Sequence, residues 1–163
     1  VDIAQAAIDE IAKKLASTAL LKVADIENGP WPFLQNGVPQ QFGAVVVTNY
    51  LWRALLPTIV ASVAPGGVLI YETFAHGNAS VGKPSRSDFL LQPGELLAAC
   101  AGLRVVAYED GFLSTPERFV QRIVAVREAI PAVIDGLVEN TTASAVHQKP
   151  ENPASISPPR YRL

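Results

Sequence analysis

The stretch that decides the fold runs from Phe42 to Phe74: FGAVVVT at residues 42–48, NYLWRALLPTIVASV at 49–63, APGG at 64–67 and VLIYETF at 68–74. FGAVVVT is apolar without alternation, the pattern of a strand covered on both faces in a parallel sheet. VLIYETF reads as a second buried strand, from Val68 to Phe74. Between them the sequence predicts a helix from about Leu51 to Val63, stopped by Pro65-Gly66-Gly67. Strand, helix, turn and strand make one right-handed crossover. The fold class expected is α/β, with a doubly wound, mostly parallel sheet.

Working outward toward the N-terminus, Ala4, Ala7, Ile8, Ile11 and Leu15 recur at three- and four-residue spacing, with Asp9, Glu10, Lys13 and Lys14 on the other face. That spacing predicts an amphipathic helix. Leu20 to Ala24 reads as a short strand before the turn residues Asn28-Gly29-Pro30. Toward the C-terminus, His76 to Ser87 is rich in glycine, serine and proline, with Lys83 and Arg86, and is expected to form an exposed loop. A short helix follows at Gly94 to Ala101. Leu103 to Tyr108 and Arg118 to Val126 read as strands close enough to pair, so the sheet is expected to end in an antiparallel hairpin. After the apolar stretch Ile130 to Val138, residues 141–159 are rich in Ser, Thr, Asn and Pro and read as weakly ordered. The domain expected is therefore 1–128, with 129–163 as an extension.

Bulk properties narrow the function classes. The 163 residues are 49% hydrophobic, enough for one core, and 13 basic against 15 acidic residues leave no field that gathers polyanions. Composition does not imply a nucleic-acid partner. No apolar run reaches the roughly twenty residues of a membrane-spanning helix, so no membrane association is expected. The single cysteine, Cys100, excludes a disulfide framework and fits a reducing cytoplasm.

Doubly wound sheets bind ligands beyond the C-terminal ends of their strands, which singles out a few residues. Asp2, at a strand end, matches a carboxylate that accepts both hydroxyls of a ribose; it equally fits an N-cap for the helix that follows. Asp25 is placed to accept the exocyclic amine of a nucleobase whose face packs on Ile26, or simply to open a turn. Thr48-Asn49-Tyr50-Leu51-Trp52-Arg53 is a dense polar cluster where a buried strand ends, with Asn49 and Tyr50 its strongest candidates. His76 is a candidate base or an ordinary solvated loop histidine. His147 receives no role. No spacing of Cys, His and carboxylates suggests a metal.

At VTNYLWRALLP, PGGVLIYETFAHGN, GKPSRSDFLLQPGELL and VVAYEDG the chain resembles the class I S-adenosylmethionine-dependent methyltransferases, in particular a bacterial branch grouped with tellurite-resistance methyltransferases. The resemblance runs from Val1 to about Arg127. It implies S-adenosylmethionine as cofactor, with Asp2 at the ribose, Asp25 and Ile26 at the adenine, and Thr48, Asn49 and Tyr50 lining the methionine and methyl end. It also implies Tyr50 and His76 as catalytic candidates and Tyr50, His76 and Arg86 as contacts to a small-molecule acceptor, under the loop from His76 to Phe89. The sequence departs from the family in lacking its first strand and G-x-G-x-G-type loop, and Val1 stands where the family's second strand ends. The expectation is of a longer molecule in the cell. Two rivals stand beside methyl transfer: a non-catalytic or cofactor-free protein of the same fold, and a nicotinamide-dependent oxidoreductase. Neither the acceptor nor the oligomeric state is legible.

Overall fold

The computed structural model describes residues 1–15 and 20–129. Helix α1 (Gln5–Lys14) is followed by a small hairpin, β1 (Leu34–Gln35) and β2 (Val38–Pro39), then by β3 (Phe42–Thr48), α2 (Leu56–Ala61), β4 (Val63–Phe74), α3 (Glu95–Ala99), β5 (Arg104–Ser114) and β6 (Glu117–Val126). The main sheet has the order β3-β4-β6-β5. β3 and β4 pair in parallel, while β4 with β6 and β6 with β5 are antiparallel. The fold is α/β and Rossmann-like, with the antiparallel hairpin expected from sequence.

The β3–β4 pairing is made possible by an irregularity that two glycines permit. Phe42 pairs with Val63 and Ala44 with Val68, so five positions on β4 are taken up against two on β3. Pro65, Gly66 and Gly67, expected to be a turn before the strand, lie within β4 itself. Gly66 has φ +79°, and a Cβ on Gly67 would come within 2.8 Å of the Ala64 carbonyl oxygen and 2.9 Å of that of Phe42. Only glycine fits there.

The crossover helix is shorter than its apolar pattern suggested. A 3₁₀ turn at Arg53–Leu55 leads into α2, whose first turn holds Pro57. Ser62 ends it by donating its hydroxyl to Thr58 O at 2.8 Å. The expected strand at Leu20–Ala24 is reduced to one parallel bridge between Asp2 and Val23. The β1–β2 hairpin was not anticipated, although Asn36-Gly37 between Leu34-Gln35 and Val38-Pro39 is its signal. Both residues have positive φ, +53° and +79°, as a two-residue primed turn requires. The loop after His76 is pinned by Asn78, which is buried and donates to Pro84 O at 3.0 Å while accepting from the Phe119 amide at 3.1 Å.

Cover on both faces, expected for β3 and β4, is found on one face only among the described residues. Val45, Val47, Leu69, Tyr71, Ile123 and Ala125 join Leu55, Leu56, Ile59 and Leu96 in the core, with α2 against β4 and α3 against β6. On the other face Val46 is 63% exposed and Ile70 42% exposed. Arg53 ties the loop at 88–95 to the start of α2: it pairs with both carboxylate oxygens of Glu95 at 2.7 and 3.0 Å and donates to Asp88 O at 2.8 Å and Leu90 O at 2.9 Å. Burial pushes the Glu95 carboxyl up, but the Arg53 and Gln92 N–H hydrogen bonds outweigh it, so its pKa is lowered. Among the described residues no helix is long and apolar enough to cross a membrane. Residues 130–163, which include most of the expected extension, lie outside the described residues.

Two outcomes are expected in urea titration. Leu69→Ala, at a fully buried position, costs about 2–5 kcal/mol. Arg53→Lys cannot reproduce the bidentate pair and the two carbonyl contacts, and costs about 1–2 kcal/mol.

Candidate functional site

A cleft of about 710 Å³ opens along β3, between that strand and the segments 1–3 and 24–33. Its lining brings together Asp2, Asp25, Ile26, Thr48, Asn49 and Tyr50, from three separate segments of the chain. Glu27, Asn28, Trp31 and Phe33 complete its outer wall.

The inner end of the site is built by backbone geometry. Asn49 has φ +53°, which an asparagine tolerates and a β-branched residue does not. This turns the chain sharply out of β3. The turn is fastened twice to β4: the Asn49 amide donates to Glu72 O at 2.9 Å, and the hydroxyl of Tyr71, 1% exposed, donates to Tyr50 O at 2.8 Å. Burial, with nearby negative charge adding, pushes the Tyr71 pKa up. Tyr71 was not among the residues singled out from sequence, because its place in VLIYETF reads as core.

The Tyr50 hydroxyl is buried, and no group meets it in full hydrogen-bonding geometry. Glu27 lies close enough to act on it all the same: burial first, then the charge of Glu27, a partial hydrogen bond to it, and the charge of Asp25 push the Tyr50 pKa up to about 12. Tyr50 therefore keeps its proton at neutral pH and is suited to donate a hydrogen bond rather than to act as a base. Trp31 Nε1 is a second buried donor without a partner among the described residues.

The acidic residues differ in what they have left to offer. Asp25 accepts the amides of Glu27 and Asn28 through Oδ1, each at 3.0 Å, and the Asn28 side-chain amide through Oδ2 at 3.1 Å. The Asn28 backbone and side-chain hydrogen bonds lead in lowering its pKa. Its turn-opening role is thus realised, with part of Oδ2 still open as an acceptor. Asp2 is not the N-cap of α1, which is Ala4; its Oδ1 accepts the Ala4 amide at 2.8 Å instead.

His76 and Arg86 lie outside the lining of this cleft. His76 is exposed, with its amide donating to Leu91 O at 2.8 Å. Arg86 pairs with Asp88 at 2.6 Å and stacks over Phe89. The structure thus gathers the residues expected at the cofactor, and Tyr50 with them, and does not bring the two loop residues to the same cleft.

No family model and no curated protein sequence matches the chain. Solved structures do. An S-adenosylmethionine-dependent methyltransferase from Methanosarcina mazei aligns over 79% of this chain and 81% of its own, with a TM-score of 0.56 and 13% identity. The described residues share the α/β, Rossmann-like fold of that structure. TehB from Haemophilus influenzae aligns with a TM-score of 0.42 and 17% identity over 56% of this chain, which spans only 37% of TehB. A 16S rRNA adenine methyltransferase from Catenulisporales acidiphilia, solved with S-adenosylmethionine, gives 0.36 and 17% over 53% of this chain and 49% of its own. Scores this low have no bearing on the fold.

Three outcomes are expected. Tyr71→Phe leaves the half-buried Tyr50 carbonyl without its donor and costs about 1–3 kcal/mol in chemical denaturation, whereas Tyr50→Phe changes stability by less than about 0.5 kcal/mol. Asn49→Val costs about 1–3 kcal/mol by forcing a β-branched residue to positive φ, and Asn49→Gly is tolerated. Because the pKa of Asp25 is lower folded than unfolded, its contribution is present above the unfolded value and is lost as pH falls through the folded one. Amide NMR shifts of residues 25–29 should therefore hold to lower pH than an ordinary aspartate titrates, and Asp25→Asn should abolish that inflection.

Proposed function

We propose that the protein transfers a methyl group from S-adenosylmethionine to a small-molecule acceptor. The observation that carries this reading is the convergence of Asp2, Asp25, Ile26, Thr48, Asn49 and Tyr50 on one cleft that runs along β3 and includes its C-terminal end, where a sheet of this topology binds ligands.

The residues fit such a cofactor. Asp2 retains an oxygen with no partner among the described residues, suited to the ribose hydroxyls. Ile26 offers an apolar surface to a flat base, and the remaining acceptor capacity of Asp25 suits an exocyclic amine. Tyr50 and Trp31 supply buried donors that a polar ligand atom would satisfy. When bound, the cofactor supplies an electrophilic methyl on a positively charged sulfonium. The chain's own part is alignment and exclusion of water: the fastened Asn49–Tyr50 turn fixes the inner wall, while Val45 and Val47 keep it apolar. A protonated Tyr50 orients an acceptor and does not deprotonate it, so the reading favours acceptors that need no base.

One observation favours the rival, a cofactor-free protein of the same fold: Asp25 already spends most of its acceptor capacity on its own loop. Calorimetric titration with S-adenosylmethionine and S-adenosylhomocysteine separates the two. Micromolar binding, weakened at least tenfold in Asp2→Ala, supports the transferase. No binding by the folded protein supports the rival.

A further inference from the structure

The walls of the cleft carry three carboxylates, Asp2, Asp25 and Glu27, and no lysine, arginine or histidine side chain among the described residues. None of the three carboxylates takes part in an ion pair among those residues. Lys22 is the one cation of the adjoining segment 20–33, and it is engaged elsewhere. Its Nζ donates to Pro32 O at 2.7 Å and stands 5.2 Å from the centre of the Phe33 ring.

Charges on an exposed surface are weakened by water and salt, so they matter to a ligand only where their field reaches it. Here it reaches the inner end of the cleft. The Tyr50 hydroxyl is buried there, and after burial itself the charges of Glu27 and Asp25 hold its proton in place. The backbone under Glu27 is fixed, because its amide and that of Asn28 both donate to Asp25 Oδ1 at 3.0 Å. Asp25 spends its oxygens on this turn, whereas the Glu27 carboxylate meets only the partial hydrogen bond from Tyr50. The charge of Glu27 is therefore available to whatever fills the cleft.

In methyl transfer the lone pair of the acceptor forms the new bond to carbon, and the electron pair of the broken carbon–sulfur bond stays on sulfur. The sulfur passes from a positively charged sulfonium to a neutral thioether. A nearby carboxylate attracts the first and is indifferent to the second. We propose that Glu27, with Asp25 behind it, is a specificity-determining residue that makes the cleft prefer the sulfonium cofactor to its neutral thioether product. This role rests on the methyltransferase reading and adds to it how cofactor and product are told apart. Because the attraction is strongest before the methyl leaves, it stabilises the bound cofactor more than the transition state. Its contribution is to selection and product release, not to the rate of the chemical step.

The test is calorimetric titration of the full chain with S-adenosylmethionine, S-adenosylhomocysteine and sinefungin, in which a carbon bearing an ammonium group replaces the sulfonium. At roughly 0.01 M ionic strength both cationic ligands should bind at least about fivefold tighter than S-adenosylhomocysteine. At roughly 1 M, where the screening length has fallen from about 30 Å to about 3 Å, the three should agree within about twofold. Glu27→Gln should lower the low-salt preference at least about threefold and leave the affinity for S-adenosylhomocysteine within about twofold. Glu10→Gln removes the same charge from the exposed face of α1 and should leave the preference unchanged. The proposal falls if S-adenosylhomocysteine binds as tightly as S-adenosylmethionine at low salt, or if salt does not reduce the preference. It falls also if Glu27→Gln leaves the preference intact with native circular dichroism, or if Glu10→Gln lowers it equally. Should Glu27→Gln not fold, the salt series decides alone. A cleft that binds cofactor and product alike sinks this inference only; one that binds none of the three ligands sinks the methyltransferase reading with it.

Discussion

The parallel pairing of β3 with β4, and the way it ends, is the constraint on which the rest depends. Gly67 lets the two strands approach where a side chain would strike three carbonyl oxygens, and the bulge there sets the register. The register delivers Thr48 opposite Glu72, so that the Asn49 amide finds the Glu72 carbonyl and the Tyr71 hydroxyl finds that of Tyr50. The candidate site is thus positioned by one backbone hydrogen bond and one from a buried side chain, neither of which shifts with the rotamers of exposed side chains.

The core is one-sided among the described residues, and its polar anchors reflect that. On the covered face Gln121 is 0% exposed, yet both ends of its amide are used: it accepts from the Leu96 amide at 3.2 Å and donates to Gln92 O at 2.6 Å. A buried amide so satisfied costs little and fixes α3 to β6. On the open face Val46, Ile70, Val124 and Ala107 form an apolar row across all four strands. The next row, Thr48, Glu72, Arg122 and Glu109, is polar; Arg122 pairs with Glu72 at 2.5 Å and with Glu109 at 3.1 Å, and Arg118 joins Glu72 at 3.2 Å.

The cleft combines two chemistries. Its edge-on wall along β3 offers backbone groups and apolar side chains, while its far end offers carboxylates and two buried donors. Tyr50 belongs to both, since its carbonyl is fastened to the core and its hydroxyl lies under the influence of Glu27 and Asp25.

The sequence by itself determined the α/β class, the strands β3, β4 and β6, the start of β5, the closing hairpin and helix α1. In each, hydrophobic periodicity or an unbroken β-branched run is a local signal strong enough to survive packing. It also singled out Asp2, Asp25, Ile26, Thr48, Asn49 and Tyr50, which line one cleft, as candidates through the rule that ligands bind at strand ends, a rule about topology that needs no side-chain geometry. Tertiary structure alone decided what periodicity cannot carry. FGAVVVT reads as covered on both faces because valine is apolar wherever it points; whether a helix lies over Val46 depends on other elements. The role of Tyr71 rests on a contact across 21 positions of sequence. The separation of His76 and Arg86 from the cleft, and the commitment of Asp25 to its own turn, follow from loop paths that composition does not encode. Pairing, register and burial are long-range quantities, and the chain states them only once it has folded.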